Sequence, residues 1–180
     1  WKIVMASSAE NKWKFQYFSY FVRFLWFVLE LMPPFIRYRC FKIIFAEFGK
    51  DSFIDYGCYF RYPWKVKIGQ NVTINRGCKF FPSLQFPNAF IQLDDDVLLG
   101  PEVVLYGAGH DPRSTLLADV ASSIIIESGV YVGGSSVLRY GVNIGRDSVI
   151  AAGSIVVESV PSGVIVGGSP AKFICVRTFD

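Results

Sequence analysis

Branched aliphatic residues recur at every sixth position along the second half of the chain: Ile126, Val132, Leu138, Ile144, Ile150 and Val156. Four places after most of these anchors stands a small or slim side chain, Val130, Ser136, Val142, Ser148 or Ser154, and Gly133 and Gly145 directly follow two of them. A six-residue period is too long for one face of a helix and too regular for plain strand alternation. It predicts short strands that turn corners and stack into a solenoid. The frame runs backwards through Leu93, Leu99 and Leu105, through Ile68, Ile74 and Phe80, and more weakly through Phe48, Ile54 and Phe60. It slips at 61–67, at 81–92 and between Leu105 and Ile126. Each slip predicts an insertion, because the next anchor must return to the inside. The third insertion is the longest and contains the sole histidine, His110.

A different pattern precedes the solenoid. Residues 13–32 are dense in aromatics, carry Arg23 and Glu30, and end at Pro33-Pro34. The length approaches the ~20 residues of a membrane span, but two internal charges make a span costly. No small-residue cleavage site follows, which argues against a signal peptide. Two readings stand: a helix packing its apolar side on the solenoid or on a neighbouring subunit, and an interfacial helix with Lys12, Lys14, Arg23, Arg37, Arg39 and Lys42 near anionic headgroups. The run from Phe35 to Phe48 predicts a second helix with Gly49 as its stop, so residues 13–48 form a helical hairpin broken at the prolines. The division is a helical segment at 1–48 and a solenoid at 49–180, with an inserted loop at 107–123 and a closing C-terminal segment.

Composition narrows the class. The 180 residues, 52% hydrophobic, suit one domain with ample core. Residues 1–65 carry ten Lys+Arg against five Asp+Glu, and residues 66–180 carry eight against ten. The modest basic bias therefore belongs to the front segment and does not indicate nucleic acid. Cys58 and Cys78 take the slim inward position of the repeat, and with Cys40 and Cys175 they form no CxxC pair or Cys/His cluster. Neither a disulfide framework nor a metal site is expected, which suits a reducing, cytoplasmic setting.

Three features compete as functional sites. Tyr62, Trp64, Phe81, Phe86 and Phe90 in the first two insertions would suit a sugar-stacking groove, although such rings more often bridge coils. Asp94-Asp95-Asp96 falls at a solvated turn of the repeat and lacks a further ligand at coordinating spacing, so it reads as a turn. His110 sits in Gly107-Ala108-Gly109-His110-Asp111, whose glycines permit turns that would hold an imidazole outward.

The hexapeptide frame from about Phe48, the Gly-Ala-Gly-His loop and the closing Gly167-Gly168-Ser169-Pro170-Ala171-Lys172 together resemble the left-handed parallel β-helix acyltransferases. Within them the chain is most similar to the maltose/galactoside and polysaccharide O-acetyltransferase branch. The resemblance covers about residues 35–177. It implies an all-β, left-handed triangular coil, against the usual right-handed crossover preference, preceded by the helical segment. It implies acetyl-CoA as acyl donor, a saccharide acceptor and a homotrimer with sites between subunits. His110 becomes the expected general base, because acetyl transfer to a hydroxyl needs the proton removed as oxygen attacks. Asn75 matches the residue that faces the histidine from a neighbouring subunit, while Asp111 is a candidate to orient the imidazole or to form a local turn. Gly134 and Ala152 match positions along which coenzyme A lies, with Lys172 and Arg177 toward its phosphates. The chain departs from the family at Val157-Glu158, where a Thr-Lys pair is frequent.

These residues lead to an acetyl-CoA-dependent sugar O-acetyltransferase, working on a lipid-linked or surface polysaccharide at the inner face of the membrane. Alternatives are an N-acetyltransferase on a nucleotide-linked amino sugar, a serine acetyltransferase, or a non-catalytic hexapeptide scaffold. A metal-binding version would need several histidines at coil spacing.

Overall fold

The computed structural model describes residues 9–179, with side chains from Trp13 onward, so the side chain of Lys12 and residues 1–8 of the 1–48 segment lie outside what is described. From Glu47 the chain winds as a left-handed triangular coil of two- and three-residue strands on three parallel faces. The register explains the six-residue rhythm, because anchor stacks on anchor. Phe48, Ile68, Leu93, Ile126 and Ile144 align on the first face. Ile54, Ile74, Leu99, Val132, Ile150 and Val166 align on the second, and Phe60, Phe80, Leu105, Leu138 and Val156 on the third. The anchors from Ile54 to Val156 are buried, each contributing about 2 kcal/mol of apolar burial. Phe60 and Phe80 stack with centroids 4.2 Å apart. The slim positions turn the corners: the hydroxyls of the buried Ser136 and Ser148 donate to the carbonyls of Ala151 and Gly145.

All three insertions leave the prism at one corner, where the third face passes to the first face of the next coil. The first holds a 3-10 turn at Pro63–Lys65. The second is the Pro82–Phe90 loop, and the third carries an antiparallel hairpin, Ala108–His110 with Asp119–Ala121. They are cross-linked. Lys65 Nζ donates to the carbonyls of Phe86 and Pro87, and burial pushes its ammonium below the usual lysine range. Ser123 Oγ accepts the Phe90 N–H at 3.1 Å.

Two helices precede the coil, α1 (Ala9–Glu30) and α2 (Pro34–Ile44). One side of α1 closes the first coil: Val22, Trp26 and Leu29 are buried, the Trp26 indole N–H donates to Phe60 O at 2.9 Å, and Phe18 stacks on Tyr62. The opposite side leaves Trp13, Tyr17, Tyr20, Phe24, Phe27 and Leu31 exposed, at alternating spacings of four and three. No described helix is long and apolar enough to cross a membrane.

The second helix is shorter than the sequence predicts. It stops at Ile44, Phe45 turns extended, and Glu47–Phe48 join the first face. Phe48 must sit over Ile68, so the register of the coil overrides the helical pattern. Gly49 is required by stacking and not by a helix end, since a Cβ there would lie 2.1 Å from Gly69 O.

Candidate active site between two corners

His110 ends the outgoing strand of the hairpin, in register with Asp119 on the returning strand. Its Nδ1 lies 2.9 Å from Leu117 O and 3.0 Å from Asp119 Oδ1. Both neighbours accept hydrogen bonds, so Nδ1 carries the ring proton and Nε2 is left as the basic nitrogen. The imidazole is more than half exposed. The hairpin is positioned by close approach at its glycines. A Cβ on Gly109 would fall 2.6 Å from Tyr140 Cε1, and one on Gly107 3.1 Å from Pro82 Cα. Asp111 is otherwise engaged: its Oδ1 accepts the Arg113 N–H at 2.9 Å, which forms the local turn that leads Pro112 to Ser114.

Beside the hairpin runs a groove of about 490 Å³. Its walls are the first half of α1 (Lys14, Phe15, Phe18), the first two insertions (Arg61, Tyr62, Pro82 to Phe86) and the hairpin itself (Ala108, Gly109, Asp119, Val120). Of the five aromatic candidates in the insertions, Tyr62 and Phe86 line it. Trp64 turns its edge to Phe18, Phe81 stacks on Tyr106, and Phe90 lies under the Lys65 ammonium.

A second line of predicted residues occupies a different corner, between the second and third faces. Asn75, Gly134 and Ala152 follow the second-face strands of their coils. The rungs are tightly stacked here. Gly153 N–H donates to Gly134 O at 2.9 Å, and a Cβ on Gly133 would lie 2.4 Å from Ala152 N. Lys172 closes the line: it pairs with Gly167, whose added Cβ would meet Ala151 Cβ. Asn75 is held by its own coil stack, its Nδ2 donating to Leu99 O at 2.7 Å. Cys58 Sγ donates to Asn75 O at 3.2 Å. Hydrogen bonding with Cys78 and burial push the Cys58 thiol up, so it stays protonated.

No family model matches the chain. Over 141 residues it is 31% identical to the galactoside O-acetyltransferase of Escherichia coli K12, an alignment spanning 77% of this chain and 67% of that protein. The chain belongs to the hexapeptide-repeat acetyltransferase family. A solved hexapeptide-repeat acetyltransferase from Vibrio cholerae, complexed with acetyl coenzyme A, superposes with a TM-score of 0.80 at 26% identity, covering 97% of this chain and 92% of that one. The 2,3,4,5-tetrahydropyridine-2,6-dicarboxylate N-acetyltransferase of Clostridium perfringens is 46% identical over 78 residues, which is 43% of this chain and 30% of that enzyme.

In this hexapeptide-repeat acetyltransferase the predicted residues separate into two groups. Asn75, Gly134, Ala152 and Lys172 share one corner, whereas His110 stands at the corner of the insertions. A single subunit does not bring the two together. Arg177 joins neither, because its guanidinium bonds to the carbonyls of Gly129 and Asp147, at the remaining corner. The acidic triplet is spent on turn structure: Asp95 Oδ1 accepts Gln70 N–H, and Asp96 Oδ1 accepts Asn71 Nδ2. Asp119, Arg61 and the α1 wall of the groove are the site elements that the repeat pattern did not single out.

Proposed function

We propose that this acetyltransferase moves the acetyl group of acetyl-CoA onto a sugar hydroxyl, with His110 as general base. The observation that carries this reading is the pair of acceptors at His110 Nδ1, Leu117 O and Asp119 Oδ1, which fixes the proton there and leaves Nε2 as base. As the hydroxyl oxygen attacks the thioester carbonyl, Nε2 takes its proton. Collapse of the tetrahedral oxyanion breaks the carbon–sulfur bond, and the imidazolium returns the proton to the thiolate. Asp119 holds the ring and favours the imidazolium that forms. Both substrates are brought together in one site, so positioning supplies much of the acceleration.

The donor runs along the corner of Asn75, Gly134, Ala152 and Lys172, where glycine and alanine let a ligand approach the backbone. That corner and His110 lie on different edges of one prism, which supports a homotrimer in which the hairpin edge of each subunit faces the donor edge of the next. The acceptor occupies the groove between α1 and the hairpin. The outward aromatic stripe of α1 supports an acceptor carried at a membrane surface, such as a lipid-linked saccharide of a surface polysaccharide, with α1 resting on the inner face.

Release of coenzyme A thiol from acetyl-CoA, measured against soluble sugars, lipid-linked oligosaccharides and amino sugars, tests the reading. Sugar-dependent release that drops by about 10²-fold or more in His110→Ala is expected. Equal release in the variant would remove His110 from the role. Transfer to an amine is the second reading, favoured by the 46% identity over 78 residues to an N-acetyltransferase; acetylation of an amino sugar at nitrogen, with none on hydroxyl acceptors, would establish it in place of the first. Co-sedimentation with anionic vesicles that is lost in Tyr20→Glu/Phe24→Glu tests the membrane contact. No sedimentation of the unaltered protein would overturn it.

A further inference from the structure

Arg61 stands at the foot of a column on the third face, where Phe81, Tyr106 and Arg139 lie in register above it. Its guanidinium is clamped between two rings, 5.2 Å from the Phe81 centroid and 5.5 Å from that of Phe15 on α1. Rings satisfy the faces of a guanidinium but not its edge, whose N–H donors need acceptors in the plane. Arg61 has none: its Nε is buried without a hydrogen-bond partner, and no carboxylate pairs with it among the described residues. Lys67 and Arg76, by contrast, have carboxylate partners, Glu47 at 2.6 Å and Asp55 at 3.7 Å. Arg37 is likewise unpaired at Nε, but it is 4% exposed and enclosed by Phe41 and Tyr56. Arg61 differs in being half-buried on the wall of the large groove.

The guanidinium faces a groove whose described lining offers it no counter-charge. Asp119 is the one acid among the described residues that line it, and it is taken up by His110, which leaves no lining carboxylate for Arg61. A neutral saccharide would leave a fixed, partly desolvated guanidinium without a counter-charge. We infer that the acceptor is an acidic saccharide whose phosphate or carboxylate oxygens accept from the Nη groups of Arg61, the Nε being sealed from solvent, while a hydroxyl of the same molecule is presented toward the hairpin. This rests on the reading of the protein as a sugar O-acetyltransferase and adds the class of sugar. The flat, ring-clamped fork suits two oxygens of one anion, which a lysine would meet as a point charge.

The test compares a neutral hexose, the corresponding hexose 1-phosphate and the hexuronic acid as acceptors, reading kcat/KM by thiol release. The unaltered enzyme is expected to prefer at least one acidic acceptor by roughly 10- to 100-fold, the scale of a charge-assisted hydrogen-bonded contact. Preference for the phosphate or for the uronate identifies the source of the anion. In Arg61→Gln the ratio of acidic to neutral acceptor should fall to about one, through KM, and Arg61→Lys should restore part of it. Calorimetric binding of the preferred acidic sugar to the unaltered protein should weaken as salt is raised, a measurement that does not depend on a variant folding. Equal use of neutral and acidic sugars, or a preference that survives Arg61→Gln, overturns the inference and leaves the sugar acetyltransferase reading intact. Absence of acetylation of any saccharide defeats both.

Discussion

Asp119 Oδ1 lies 3.0 Å from His110 Nδ1, across an antiparallel pair that places the two residues directly opposite each other. The contact makes Asp119, and not the adjacent Asp111, the carboxylate that orients the imidazole. Asp119→Asn should lower kcat by roughly 10- to 10³-fold, within the range that acid–base groups contribute, while leaving the circular dichroism spectrum unchanged. Asp111→Asn should cost about twofold or less, since that side chain serves a turn. A loss confined to kcat, with the KM for acetyl-CoA unchanged, separates positioning from folding. Equal losses in the two variants would show that the hairpin, and not the contact, matters.

Gly109 owes its identity to Tyr140. With the Tyr140 ring edge 2.6 Å from where a Cβ would stand, Gly109→Ala must push the hairpin away from the coil. The expected result is a loss of about 10²-fold or more in activity, as catalytic misplacement commonly brings, with little change in melting temperature. Tyr140→Ala in the same chain should recover part of the activity, and the non-additivity of the double variant measures the contact.

Gly133 answers to a harder constraint. An added Cβ would approach Ala152 N to 2.4 Å, backbone against side chain at the centre of the stack. Gly133→Ala should destabilise the fold by roughly 2–4 kcal/mol, at the upper end of overpacking, read as a fall in denaturation midpoint. Gly153→Ala offers a comparison at the same corner. Its φ of +71° carries strain, but nothing lies within 4 Å of the added atom, so the cost there should be about 1 kcal/mol.

Glu127 links two coils across a corner, accepting Asn143 Nδ2 and Arg146 N–H at 2.9 Å each. The bond from Asn143, then that from Arg146, holds its carboxyl below the usual glutamate range. A carboxylate depressed in the folded state contributes stability that is full above its unfolded pKa and disappears as pH falls through the folded value. Melting temperature should therefore decline on acidification through about pH 4.5 and below, and Glu127→Gln should flatten part of that decline. Because the side chain is largely solvated, the effect is small and should diminish in high salt.

The coil was legible because burial imposes a period: every sixth residue from Ile54 onward must be large and apolar, and the three slips mark where that demand lapses. The shape of each insertion was not legible, since loop residues answer to neighbours in space. Asp119 is nine positions from His110, and only the pairing of Gly109 with Val120 brings it back. A signal existed in the Asp111-Pro112-Arg113-Ser114 turn, which invites a hairpin closing on both sides of it. Arg61 was hidden for another reason. It occupies the position after an anchor, where the repeat places no constraint, and its significance arises from Phe15 in a helix that carries no trace of the period. The overlong second helix shows the converse, a helical pattern at Phe45 to Phe48 yielding to the stronger demand that Phe48 cover Ile68.

The chain breaks its rhythm at a single edge of the prism. Two edges are free of insertions, and the third carries all the irregular sequence: a turn, a loop and a hairpin braced by Lys65 and Ser123 and backed by α1. On the proposed placing of the acceptor, selectivity is thereby separable from the scaffold. The three segments form a cassette that can lengthen, shorten or exchange residues without disturbing the register of any rung, so a related coil given this cassette together with α1 should inherit the proposed acceptor preference while keeping its own proposed donor edge.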